Sequence, residues 1–161
     1  MKEKLYWLLD IPVNTPKSVI LIRLMTGSVF FWEGIIKFVF PNQGIGRFTK
    51  IGIPLPEIMS DFVAVLEIVG GLMLIFGLFT RLISIPFIIQ MTIAILSTKI
   101  AVFLGTSPLA LPPAPPQTGF FAMLHESRTD FAQIICSIFL LIVGPGAWSL
   151  DAVRKKSKNK N

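Results

Sequence analysis

Thiols, imidazoles and charge are all scarce in this sequence, and each shortage removes a class of function. Cys136 is the single cysteine, so the chain has no internal disulfide, no CxxC redox pair and no cysteine-built zinc site. His125 is the single histidine, which leaves no second imidazole for a haem or metal pair. Charged residues make up 15% and apolar residues 53%, against about 25% and about 45–50% in soluble domains. A chain so composed lacks the polar surface of a water-soluble enzyme. Its 161 residues also hold only one ordinary domain, with no room for a separate catalytic module. Acidic residues are outnumbered nine to fifteen by basic ones, for a net charge of +6, but Arg154, Lys155, Lys156, Lys158 and Lys160 crowd the carboxy terminus. Such a run marks the cytoplasmic flank of a membrane protein. No basic and aromatic surface interrupts the apolar stretches, so nucleic acid is not an expected partner.

What the sequence has in abundance is apolar length. Four stretches have membrane-spanning quality, at about residues 18–40, 62–79, 82–104 and 130–148, where a span needs about 20 residues. The third contains Pro86, and the fourth ends at the Gly144-Pro145-Gly146 breaker. The expected fold is all-α, an integral membrane four-helix bundle, with the lipid bilayer as its first partner. Residues 1–17 read as an interfacial segment anchored by Tyr6 and Trp7, residues 18–151 as the transmembrane domain, and residues 152–161 as a basic tail. Four spans put both termini on one side, and Lys2, Lys4, Lys17, Arg81 and the tail assign that side to the cytoplasm of a bacterial inner membrane. The outer connection from Gly105 to Thr129 contains LPPAPPQTG and predicts a stiff, extended cap, with His125 a solvated loop residue.

Charges inside the spans carry most of the functional information, because each costs about 2.5–3.5 kcal/mol at mid-helix and persists where it faces a bundle interior or cavity. In the first span, Lys37 and Glu33 fall about 40° and 80° from Arg23, with Gly27 and Gly34 within about 40° of it on the other side. That stripe joins the charges to a close-packing surface. In the second span, Ala64, Gly70 and Gly71 flank Glu67 in the same way. Alternating chain direction brings Glu33, Lys37, Glu67 and Lys99 into one layer near the outer boundary, with Asp130 above or beside it. Two readings of this layer stand side by side. In one, the charges only neutralise each other, Glu33 with Lys37 and Glu67 with Lys99. In the other, they line a small polar pocket where Lys37 and Lys99 hold an anionic or carbonyl oxygen and Glu33 or Glu67 handles a proton. Arg23, Arg81 and Asp151 form an inner set that reads as structural, Asp151 holding one of the arginines.

Arg23 with Gly27, Trp32-Glu33-Gly34 and Lys37, Gly46, Phe48, Gly52 and Pro54, Glu67 with Gly70-Gly71, Gly77 and Arg81, and GPGAWSLD at 144–151 occur in an order that resembles the DoxX family of small bacterial membrane proteins. Members often carry histidine where Glu33 stands here. The resemblance implies a four-helix bundle whose relatives include the membrane subunit of a thiosulfate:quinone oxidoreductase and proteins that associate with redox enzymes. It makes the chain an expected accessory or quinone-linked subunit of a redox complex, with quinone as the cofactor and electrons drawn from another chain. A structural or assembly subunit and a small-solute carrier are the alternatives. The carrier is disfavoured by the apolar central turns Phe30-Phe31, Leu74-Ile75 and Leu140-Leu141.

Overall fold

The computed structural model describes Leu8, residues 15–113 and residues 115–158. Tyr6 and Trp7, and with them most of the amino-terminal segment, lie outside the described residues. All regular structure among the described residues is helical: α1 (Val19–Val39), α2 (Ile45–Lys50), α3 (Pro56–Phe76), α4 (Thr80–Leu104), α5 (Phe120–Val143) and α6 (Leu150–Lys158). By length and hydropathy α1, α3 and α4 can each cross a bilayer. The fourth long helix, α5, carries Glu126, Arg128 and Asp130 in its first half and no charge beyond them.

These four helices share one interior. Val19 and Phe30 from α1, Leu74 from α3, Ile83 and Phe87 from α4, and Leu140 from α5 form a buried cluster. At its centre the rings of Phe30 and Phe87 stack with centroids 3.7 Å apart. The outward faces reverse the pattern of a soluble protein. Leu21, Trp32, Phe62, Val65, Ile89 and Ile142 are all more than half exposed, which suits a molecule whose solvent is hydrocarbon. The fold is therefore an integral membrane four-helix bundle.

Glycine sets the closest packing. Along α1, residues 23, 27, 30, 34 and 37 recur at alternating steps of four and three, and so do 60, 64, 67, 71 and 74 along α3; this is the spacing of helices packed side by side at a shallow angle. A Cβ on Gly27 would lie 2.7 Å from the carbonyl oxygen of Gly71, one on Gly71 would lie 2.7 Å from that of Gly27, and one on Gly34 would lie 2.7 Å from that of Ala64. The two helices thus meet backbone to backbone. In a bilayer, where lipid offers no hydrophobic drive for helix association, such dispersion contact is the main cohesive term.

The end of the bundle where α1 begins and α3 finishes is closed by Arg23, which is 2% exposed. Its guanidinium donates to the carbonyls of Leu74 (3.0 Å) and Ile75 (2.9 Å), which end α3, and to those of Pro145 (2.6 Å) and Trp148 (2.7 Å) in the GPGAW turn. A helix C-terminus favours a cation, and these orphan carbonyls explain why. Asp151 adds its charge beside Arg23, as the sequence led us to expect, while the guanidinium spends its hydrogen bonds on carbonyls. The Asp151 carboxylate also accepts from the Thr80 amide at 3.4 Å, and Arg81 donates to the Ile142 carbonyl at 2.9 Å.

Element boundaries differ from expectation at two places. α3 begins at Pro56, well before the apolar run starts at Phe62, because proline suits the first helical turn. α5 begins at Phe120 rather than near Asp130, directly after Gly119 at φ 87°. His125, Glu126 and Arg128 therefore ride on helical turns, and the extended connection is confined to the residues before Phe120. Helices continue through polar residues when one face still packs, so hydropathy locates the apolar segment and not the helix end.

Replacing Gly34 with Leu should force α1 and α3 apart and destabilise the bundle by about 1–3 kcal/mol. Val65→Leu, on the exposed face of α3, should leave stability unchanged. Thermal unfolding of both variants in detergent checks this, and equal stability of Gly34→Leu and the parent would show that the glycine face is not interior.

Candidate functional site

The charges expected in one outer layer divide into two separate groups, Lys37 with Glu67 and Glu33, and Lys99 with Asp130. Lys37 donates to Glu67 Oε2 at 2.6 Å, and Gln90 on α4 donates through Nε2 to the other oxygen, Oε1. Glu67 is 2% exposed, so both its oxygens are occupied away from solvent. Lys37 also donates to the Glu33 carbonyl at 3.3 Å and stands 3.9 Å from the Glu33 carboxylate, whose side chain is 57% exposed. Lys99 pairs with Asp130 at 3.4 Å. The expected pairing of Glu67 with Lys99 is thus replaced: the glycine-mediated approach of α1 to α3 puts Lys37 over Glu67, whereas Lys99 faces α5.

Lys99 owes its direction to a local irregularity. Residues Ile95–Lys99 form a π-helical turn within α4, with the Ile100 amide donating to the Ile95 carbonyl. The wider turn shifts the register of Thr98 and Lys99 relative to a continuous α-helix, and Thr98 closes it by donating to the Ala94 carbonyl at 2.6 Å. Such insertions tend to occur at functional positions.

Above this turn lies a cavity of about 190 Å³ lined by Arg47, Thr98, Lys99, Ser107, Leu109 and Glu126, among others. Arg47 comes from the short helix α2, Glu126 from the first turns of α5, and Ser107 and Leu109 from the proline-rich connection, which roofs the space. A second hollow of about 230 Å³ lies within that connection and shares Ser107 and Leu109–Leu111 with the first. Lys37 and Glu67 do not line either cavity. Two cations beside one small volume can donate to an anionic or carbonyl oxygen, and Glu126 adds an acidic group. Among the described residues, no group of three or more His, Cys, Asp or Glu side chains could hold a metal ion.

Several residues of this region escape a reading confined to the charges inside the apolar spans. Gln90 is an amide in the third apolar stretch, and its position three residues past Phe87 was the available signal. Arg47 and Thr98 carry none, because a short helix and a π turn leave no mark in apolar periodicity. Thr26, Ser84 and Ser137 are fully buried and make the interior less apolar than Phe30-Phe31, Leu74-Ile75 and Leu140-Leu141 suggest.

With this geometry in place, the chain can be set beside known proteins. The DoxX family model matches residues 18–100, from the start of the first span through the π turn. The chain belongs to the DoxX family. Among similar proteins, "Uncharacterized membrane protein Rv3486" of Mycobacterium tuberculosis (strain ATCC 25618 / H37Rv) is 44% identical over 149 residues, which cover 89% of this chain and 83% of that protein. "Putative oxidoreductase CatD" of Bacillus subtilis (strain 168) is 31% identical over 146 residues, covering 89% and 92%. No solved structure matches the chain significantly. The DoxX match ends at residue 100, so it takes in Arg23, Glu33, Lys37, Glu67, Gln90 and Lys99 but stops short of Asp130 and Glu126.

If Lys37 and Glu67 act as a strut, Lys37→Met alone should cost about 3–5 kcal/mol by leaving Glu67 buried without its cation. Lys37→Met combined with Glu67→Gln should recover much of that loss, whereas Lys99→Met combined with Glu67→Gln should not. A double-mutant cycle on thermal stability in detergent reads this directly, and coupling of Glu67 to Lys99 instead of Lys37 would contradict the pairing.

Proposed function

We propose that this DoxX protein is an accessory, quinone-linked subunit of a bacterial inner-membrane redox system, and that the cavity over the π turn of α4 is where its ligand binds. The supporting observation is the distortion of α4 that turns Thr98 and Lys99 toward a space already bordered by Arg47 and Ser107. At about 190 Å³ the space falls below the 300–1,000 Å³ of typical small-molecule sites, so it suits a quinone headgroup or a small anion and not a bulky substrate. The chemistry of the residues fits a quinone. Lys99 and Arg47 offer donors for a carbonyl oxygen, and Leu109 and Val102 offer apolar contact.

A quinone would supply two-electron redox chemistry, and the electrons would come from a partner chain. The residues of this chain would hold and orient the oxygen, with Lys99 fixed by Asp130 and Glu126 placed to exchange a proton at the cavity wall. In this reading the cavity faces the periplasm and both termini face the cytoplasm, as the basic tail suggests. The name of CatD agrees with a redox role for a relative. A purely structural or assembly role is the competing reading, and the strut between Lys37 and Glu67 suits it, but it gives no reason for the π turn.

Menadione binding to the purified protein in detergent, followed by calorimetry, tests the reading. Lys99→Met with Asp130→Asn removes both members of one pair and should leave the fold intact. Affinity should fall about tenfold to a hundredfold, the worth of one hydrogen bond from a charged donor. A folded double variant that binds as tightly as the parent, or a parent that does not bind, would overturn it.

A further inference from the structure

The inner end of the molecule carries a feature that neither the bundle nor the outer cavity uses. α6 runs from Leu150 to Lys158 across the end of the bundle where α1 and α4 begin and α3 and α5 finish. It is fixed there by several bonds. The Asp151 amide donates to the Gly77 carbonyl at 3.1 Å, the Asp151 carboxylate accepts from Thr80, and Ser149 caps the helix by accepting from the Ala152 amide at 3.1 Å. Asp151 and Ala152 are accordingly buried, at 5% and 4% exposure.

The opposite face is unlike that of a helix turned to water. At about 100° per residue, Leu150 and Val153 lie within about 60° of each other, directed away from Asp151 and Ala152. They are 47% and 63% exposed, and Trp148 just before them is 58% exposed. Cations border this apolar ridge. Arg154 falls about 40° to one side of Leu150, with its guanidinium 4.8 Å from the centre of the Phe79 ring, and Lys156 borders Val153 on the other side and is exposed. Lys17 reaches to 5.4 Å from the centre of the Trp148 ring. Lys155 and Lys158 add charge to the same short helix. An apolar ridge between cations, held at the level where the spans leave the bilayer, matches the interfacial layer, with acyl chain under the ridge and phosphate beside the cations.

We propose that α6, with Trp148 and Lys17, forms a binding surface for anionic phospholipid headgroups, which hold this end of the bundle in the membrane plane. Charge complementarity selects the partner: clustered Lys and Arg beside a span recruit acidic lipids, with an affinity gain of about fivefold per cation near the surface. The proposal rests on this end of the molecule alone and stands or falls separately from the quinone reading.

Full-length protein carrying Trp7→Phe and Trp32→Phe, which leaves Trp148 as the single indole, can be reconstituted in phosphatidylcholine nanodiscs doped with brominated lipid. Brominated phosphatidylglycerol should quench Trp148 at a mole fraction at least fivefold lower than brominated phosphatidylcholine, and raising the salt to about 0.5 M should narrow that difference. Lys155→Gln/Lys156→Gln/Lys158→Gln should reduce the preference several-fold, to the part owed to Lys17 and Arg154, while melting as the parent does in pure phosphatidylcholine. The corresponding triple arginine variant should keep it. Equal quenching by the two lipids in the parent, as expected if a protein partner covers α6, would overturn the proposal. So would a preference undiminished in the triple glutamine variant, or one lost in the triple arginine variant.

Discussion

The direct approach of the α1 backbone to that of α3 governs the rest of the molecule. Gly27 against Gly71 and Gly34 against Ala64 leave no room for a Cβ at either glycine of α1, and this fixes both the register and the separation of the two helices. At one end of the shared face, that register carries Arg23 to the last carbonyls of α3. Toward the other, it carries Lys37 to Glu67. Neither contact would survive a displacement of an ångström or two. A buried charge without its partner is costly in hydrocarbon, so the charges and the glycines enforce one another.

A division of labour among the buried charges follows. Arg23 works as a fastener between the end of α3 and the GPGAW turn, satisfying carbonyls that hydrocarbon would leave orphaned. Lys37, Glu67 and Gln90 tie α1, α3 and α4 together across the interior, and the carboxylate has a donor on each oxygen. Lys99 differs. Its pair with Asp130 is looser at 3.4 Å, it stands at the end of a π turn, and it borders a cavity. A strut needs no such distortion of its helix. The contrast separates structural charge from the charge that the proposed function employs.

Apolar run length and the spacing of Arg23, Gly27, Gly34, Glu67 and Gly71 were enough to predict an all-helical membrane bundle and its tightest face, because both follow from periodicity along single helices. The ordered residues also carried the DoxX resemblance that the family match bears out. Pairing between helices was less accessible. Depth estimates placed Lys37 and Lys99 equally well beside Glu67, and only the rotation of α4, altered by its π turn, sends Lys99 to Asp130. The start of α5 at Phe120 was hidden for a related reason, since hydropathy reports where lipid begins and not where hydrogen bonding does. Arg47 and Glu126 meet at one cavity through a short helix and a helix start that no single-segment pattern joins.

In the proposed site Lys99, and not Lys37, faces the ligand. Reductive methylation of the purified protein, read at each lysine by mass spectrometry with and without menadione, tests it most directly. Menadione should slow labelling of Lys99 selectively and leave the rate at Lys37 unchanged. Protection of Lys37 with none at Lys99 would contradict the claim and move the site to the face between α1 and α3.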